Sequence, residues 1–167
     1  MQVSTPPRLT LHFDEDDIEQ CVRAARDPSD VWSARNGTVA LCCTLRDAND
    51  QLLCKFTVDA ALLTPAVVAK WGEDGVRQAR EERTFYYLNG LLRALQALRL
   101  RFRSLRVVEI GTDSDYLREH AHVARIAKWK KRGFKGSDGR PIRLRILWNQ
   151  LYDWYTSPAV AFKCTFI

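Results

Sequence analysis

An acid at the mouth of one strand, a second acid closing another, and a dense run of cations are the residues here whose types and spacing could do chemistry. Asp113 follows the apolar run Val107 to Ile110 and stands directly before a helix-like stretch. A strand end fixes the backbone of such a carboxylate, and a helix start turns its side chain to solvent. It can then hold a divalent cation or serve as an N-cap. Asp14 closes the alternating run Arg8 to Asp14 and opens the cluster Asp14-Glu15-Asp16-Asp17. Asp14, Asp16 or Asp17 can cap a short helix from Ile18 to Ala25. Glu81 and Glu82 are the acids of the longest helical pattern. Their plain role is surface charge near a helix N-terminus.

The cations gather late in the chain. Arg125, Lys128, Lys130, Lys131, Arg132 and Lys135 are interleaved with Trp129 and Phe134. Between Arg125 and Arg145 nine basic residues meet one acid, Asp138. Cations take phosphates and aromatic rings take bases, so the pattern points to nucleic acid. The net charge of +6 is itself divided. Residues 1–75 carry 7 Lys/Arg against 12 Asp/Glu, whereas residues 76–167 carry 19 against 8. Attraction for a polyanion is therefore concentrated in the C-terminal half.

A length of 167 residues with 46% apolar content fits one domain with a proper core. No stretch of eighteen apolar residues is present, which excludes a helical membrane span. The start MQVSTPPRLT has neither a basic nor an apolar segment, so no secretory signal is expected. The five cysteines, Cys21, Cys42, Cys43, Cys54 and Cys164, lack CxxC spacing and sit mostly in apolar runs. They read as reduced core thiols of an intracellular protein rather than zinc ligands.

The elements that must position these residues follow from periodicity. Arg8 to Asp14, Thr38 to Leu45 and Leu52 to Val58 alternate or are β-rich, with turn residues Arg46 to Gln51 between the last two. Arg26 to Asn36 reads as a loop, and so does the stretch with Pro65 and Trp71-Gly72-Glu73-Asp74-Gly75. The main helix is predicted over Val76 to Leu98, with Leu88, Leu91, Leu92, Leu95 and Leu98 as its apolar stripe. Gly90 beside the stripe suits a close approach to a strand. A basic link, Arg99 to Arg106, leads into a fourth strand over Val107 to Thr112. Helices over Val123 to Arg132 and Leu144 to Tyr155 and a closing strand from Ala159 to Phe166 complete an α/β pattern.

Four ordered segments, TDSDY from Thr112, WKKRGFK from Trp129, GRPI from Gly139 and LWNQL from Leu147, resemble ribonuclease H of the cellular type 1 branch. The resemblance implies a mixed five-stranded sheet flanked by helices. Strands 1-2-3 would form an antiparallel meander, with strand 4 beside strand 1 and strand 5 beside strand 4. It implies Mg²⁺-dependent hydrolysis of the RNA strand of RNA/DNA hybrids, with Asp14 and Asp113 as metal ligands and the basic run as a handle for the hybrid. It also implies departures. The family's first acid is followed by Gly and a small hydroxyl residue; here Glu15 and Asp16 follow Asp14. Its second acid lies seven residues before an Ala-Leu pair, which lands on Tyr87 or Gly90. Glu82 stands five positions before Tyr87, about 140° around the helix and roughly 7.5 Å along it. The family's fourth acid lies on a helix after the fifth strand, and residues 1–167 read as one domain truncated at that strand. The expected function is a ribonuclease H-like module, with hydrolysis lost, that binds RNA/DNA hybrid or structured RNA or serves as a piece of a larger nucleoprotein assembly. The alternatives are an active Mg²⁺-dependent ribonuclease H that recruits Glu82 and the Asp14–Asp17 acids, and a protein–protein scaffold.

Overall fold

The computed structural model describes residues 5–27, 29–30, 37–103, 105–136, 138–140, 144–156 and 163–166, with β5 described by its backbone. Three antiparallel strands come first: β1 (Arg8–Phe13), β2 (Ala40–Arg46) and β3 (Leu52–Asp59). β4 (Val107–Thr112) and β5 (Lys163–Phe166) complete a five-stranded sheet in the order β3-β2-β1-β4-β5. β1 is central. It pairs antiparallel with β2, from Arg8 opposite Arg46 to Phe13 opposite Leu41, and parallel with β4, from Arg8 opposite Glu109 to Leu11 opposite Thr112. The alternation of β1 fixes this register, since a one-residue slip would turn Leu9, Leu11 and Phe13 into water. At the β2–β3 turn Asp47 accepts from the amides of Asn49 and Gln51, both at 2.9 Å, and Asp50 adopts a φ of 62°.

The helices are α1 (Glu15–Arg26), α2 (Pro65–Arg80), α3 (Arg83–Arg101), α4 (Asp115–His120), α5 (Val123–Lys131) and α6 (Arg145–Thr156). The leucine stripe of α3, Leu88, Leu91, Leu92, Leu95 and Leu98, is buried with Leu9, Leu11, Leu41, Cys43, Val108 and Ile110 in one core. Each fully buried leucine contributes about 1.5–3 kcal/mol of transfer free energy. Gly90 is where α3 comes nearest the sheet: a Cβ there would lie 2.9 Å from the Phe13 ring and 3.0 Å from Ala60 Cβ. The other sheet face carries Arg8, His12, Cys42, Lys55 and Thr57, all exposed.

Several expected boundaries move. The main helix is two helices, because Glu81 closes α2 and Glu82 is extended, with φ −115° and ψ 129°. Tyr86 ties the break by donating its hydroxyl to the Arg80 carbonyl at 2.8 Å. The stretch from Pro65 through Gly75 is part of α2 rather than a loop. Thr64 caps it, Pro65 suits its first turn, and its Gly-containing segment is absorbed as a kink at Gly72, with φ 70° and ψ 175°. α1 begins at Glu15 instead of Ile18, since its acidic first turn is helical. β2 is shifted to Ala40–Arg46, and of the closing run Lys163–Phe166 is strand. Most of Arg26–Asn36 and Ala159 to Phe162 lie outside the described residues. The core-thiol reading holds for Cys21 and Cys43. Cys54 is half-buried, and Cys42 is exposed because its parity on β2 points it to the open face. The Cys164 side chain lies outside the described residues.

Candidate functional site

β1 and β4 run parallel, so their ends bring Asp14 and Asp113 to the same edge of the sheet. Asp113 Oδ1 accepts from the Phe13 amide at 3.3 Å, and its Oδ2 lies 3.4 Å from His12 Nδ1. The N-cap of α4 is Ser114, whose hydroxyl accepts from the Leu117 amide at 3.3 Å. Asp113 is thereby left to the sheet edge, its side chain 45% exposed. Asp14 caps α1, with Oδ1 accepting from the Asp17 amide at 3.0 Å. Of its two sequence readings, the cap is the one the geometry displays.

The next position is occupied by a phenol. Tyr87, on the first turns of α3, packs edge-on against Phe13 at 5.1 Å and donates to the Glu15 carboxylate at 2.6 and 2.9 Å. Arg83, one helical turn earlier, pairs with Glu15 at 4.0 Å and with Glu19. Burial, then the Glu15 hydrogen bond and its charge, push the Tyr87 hydroxyl up to about 12. The nearest acid of α1 is therefore bound to a phenol and a guanidinium. Glu82 stands ahead of Arg83 and lines a groove with Trp71, Gln78 and Leu144. The polar contacts of Asp14 and Asp113 go to Asp17, Phe13 and His12. Among the described residues no group of three or more His, Cys, Asp or Glu side chains is placed to hold a metal ion. The donor set does not fit a pair of divalent cations.

An aromatic chain joins this edge to the basic region. Tyr87 lies 6.2 Å from Tyr116 on α4, Tyr116 lies 6.1 Å from the buried Trp148 on α6, and Trp148 meets Trp129 on α5 at 5.0 Å. Burial pushes Tyr116 up to about 12. Trp148 is the anchor that holds α5 in place.

α5 sorts its cations into two sets. Arg125, Lys128 and Arg132 line an open groove with His122 and Trp129, and the Arg125 guanidinium lies 5.6 Å over the Trp129 ring. Lys130 points the other way. Its ammonium donates to Asn149 Oδ1 at 2.6 Å and sits 5.4 Å over Tyr152 and 5.9 Å over Phe134. Phe134 is a core residue, 8% exposed, rather than a ring offered to bases. It turns inward because Gly133 and Phe134 both take positive φ, 65° and 57°. Lys131 and Lys135 are exposed. Charge and spacing show the patch, but only the packing of α5 on Trp148 shows which side faces out. His12 and Glu15 were missed as partners. The parity of β1 carried a signal for His12, and the replacement of Gly by Glu15 carried one for the pair with Tyr87.

The strand order, the parallel β1–β4 pair that brings two acids to one edge, and the long helix packed on the sheet define a ribonuclease H-like α/β fold. No family model matches the chain. It is similar to ribonuclease H from two strains of Nitratidesulfovibrio vulgaris, DP4 and Hildenborough, each 33% identical over 73 residues. That match spans 44% of this chain and 44% of each relative's length, less than half of the curated relatives. Among solved structures it is similar to a foamy viral protease-reverse transcriptase in complex with RNA/DNA hybrid. The TM-score is 0.52 with 11% identity, over 100% of this chain and 19% of that one. The same viral protein in complex with dsDNA gives a TM-score of 0.55 with 11% identity, over 98% of this chain and 81% of that one. At these identities the structures bear on the fold. No helix among the described residues is long and apolar enough to cross a membrane.

Proposed function

We propose that the chain is a ribonuclease H-like module that binds nucleic acid, RNA/DNA hybrid or structured RNA, without hydrolysing it. The observation that carries the proposal is Tyr87 where the resemblance calls for an acid, bonded to Glu15 with Arg83 beside it. Two-metal hydrolysis needs cations about 3.5–4 Å apart and several convergent carboxylates to offset four positive charges. Here Asp113 and Asp14 share the edge, Asp14 gives one oxygen to a helix cap, and Glu15 is tied to the Tyr87 phenol with Arg83 beside it. The outward face of α5, Arg125, Lys128 and Arg132 with Lys131, Lys135 and the edge of Trp129, supplies phosphate contacts. Likeness to a ribonuclease H and to a foamy viral protease-reverse transcriptase in complex with RNA/DNA hybrid supports hybrid as the ligand. Service in a larger nucleoprotein assembly inside the cell completes the proposal.

The test is cleavage. Purified protein incubated with a labelled RNA/DNA hybrid and Mg²⁺ or Mn²⁺ is expected to give no product above background, and Asp113→Asn is expected to change nothing. Retained hybrid binding in the same samples separates loss of hydrolysis from loss of binding. Cleavage that disappears in Asp113→Asn would establish the active enzyme instead; if Glu82→Gln also abolished it, Glu82 would belong to the site.

A further inference from the structure

We propose that the chain pairs with a second copy of itself through the outer edge of β3, joining two sheets across a two-fold axis at Thr57. β3 ends the order β3-β2-β1-β4-β5, and among the described residues it is paired only with β2. At eight residues, Leu52–Asp59, it is the longest of the five strands. Its ladder shows which backbone groups face away from the sheet. The Ala60 amide donates to the Val39 carbonyl at 2.8 Å, one step past the Asp59–Ala40 pair. Hydrogen-bonded positions alternate along an antiparallel strand, so Phe56 and Val58 turn their amides and carbonyls toward β2. Lys55, Thr57 and Asp59 turn theirs outward, as a template for another strand.

The side chains of the edge select both the occupant and the register. Lys55 is the one cation of β3 and Asp59 its one acid. A two-fold axis at Lys55 would set like charges face to face, which is how an edge lysine resists pairing. An axis at Thr57 instead puts Lys55 of each copy opposite Asp59 of the other, and Thr57 opposite Thr57. The hydrogen-bonded pairs that result lie between the outward-facing residues. Lys55 and Thr57 are exposed. Asp59 is half-buried, and its Oδ1 accepts from the amides of Val39 at 3.0 Å and Ala61 at 2.9 Å, which fixes the acid at the strand end. The same axis carries Leu52 and Leu53, 54% and 48% exposed, toward the end of the other strand, where Leu62 is 49% exposed. These are three of the seven large apolar side chains that the described residues leave in water. An unrelated strand could satisfy the amides. A second copy also supplies the inverted order of apolar, cationic and acidic residues, by symmetry. Two edge strands cover less than the roughly 1,200 Å² at which stable interfaces begin, so the dimer is weak, with a Kd on the order of 100 µM.

The pairing does not rest on nucleic-acid binding and is tested without it. Sedimentation equilibrium of the full chain, reduced and at concentrations from about 10 to about 500 µM, should show monomer and dimer in exchange. Thr57→Lys faces two ammonium groups at the axis, and Lys55→Glu sets acid against acid. Each is expected to raise the Kd at least about tenfold, with thermal unfolding unchanged. Where Thr57→Lys alters unfolding, Lys55→Glu decides. The register has its own readout. Opposed residues of a hydrogen-bonded pair have Cα atoms about 5.5 Å apart, within reach of a disulfide. Thr57→Cys in a Cys42→Ser background, oxidised with glutathione disulfide, should therefore give a covalent dimer well above that of the Cys42→Ser parent. A chain that stays monomeric to about 500 µM overturns the pairing. So does a dimer that survives Lys55→Glu, or a Thr57→Cys chain that crosslinks no more than its parent.

Discussion

Tyr87 shows how a single side chain can redirect a site without disturbing the fold around it. Its ring packs on Phe13 as an apolar residue would, while its hydroxyl ties Glu15 across the edge of the sheet. Folding raises its pKa from 10 to about 12, chiefly by burial and next by Glu15. Between those values the folded state holds a proton that the unfolded chain has released. The stabilisation tied to this proton is full below pH 10 and is lost as the pH rises toward about 12. Tyr116, raised to about 12 by burial, adds in the same direction. Urea midpoints are thus expected to fall between pH 10 and 12, and Tyr87→Phe should flatten part of that fall. Glu15→Gln removes the charge but leaves the burial. The Tyr87 phenol, followed by its absorbance near 295 nm, should then ionise at lower pH without returning fully to 10. An unshifted titration in Glu15→Gln would mean that Glu15 does not hold Tyr87 in solution.

The elements were legible where side-chain pattern decides them, and least so where a backbone exception does. The alternation of Leu9, Leu11 and Phe13 and the leucine stripe of α3 each specify one buried face, and both are in the core. The break between α2 and α3 was not legible, because Arg83 and its neighbours favour helix as much as the residues before them. What marks the end of α2 is a side chain from the next helix, the Tyr86 hydroxyl on the Arg80 carbonyl. Likewise Gly72 and Gly75 read as a loop, yet one positive φ lets the helix resume. At the site, the acids at the strand ends were readable from their places in the strands. The use of Asp14 as a cap and the inward turn of Phe134 depend on contacts that spacing does not encode. Gly90 gives the element-scale test. Gly90→Ala should gain about 1 kcal/mol of helix propensity. Its Cβ would, however, meet Phe13 at 2.9 Å, Ala60 at 3.0 Å and Leu41 at 3.2 Å. Overpacking of a filled core costs about 1–3 kcal/mol, so net destabilisation in a urea titration is expected. Ser114→Ala, which removes the cap of α4, should cost about 1 kcal/mol while leaving Asp113 in place.

At the scale of the whole molecule, charge and packing together decide how a polyanion would be met. The acids lie mostly in the first half of the sequence and the cations in the second, yet a charge count cannot tell an outward ammonium from one folded onto Asn149 and Tyr152. The structure makes that distinction, and salt dependence can read it. If Arg125, Lys128, Lys131 and Arg132 each neutralise one phosphate of a duplex, log K should fall with log[salt] at a slope of about −3.6. Arg125→Ser/Arg132→Ser removes two of those contacts and should bring the slope to about −1.8. Lys130→Ser should leave the slope near its original value, because the Lys130 ammonium, although exposed, is held by Asn149 and over Tyr152 of α6. The same variant should cost stability, since Asn149 Oδ1 loses its donor and the rings of Tyr152 and Phe134 lose their cation. A slope that flattens by about one unit in Lys130→Ser, with stability unchanged, would place Lys130 among the phosphate contacts.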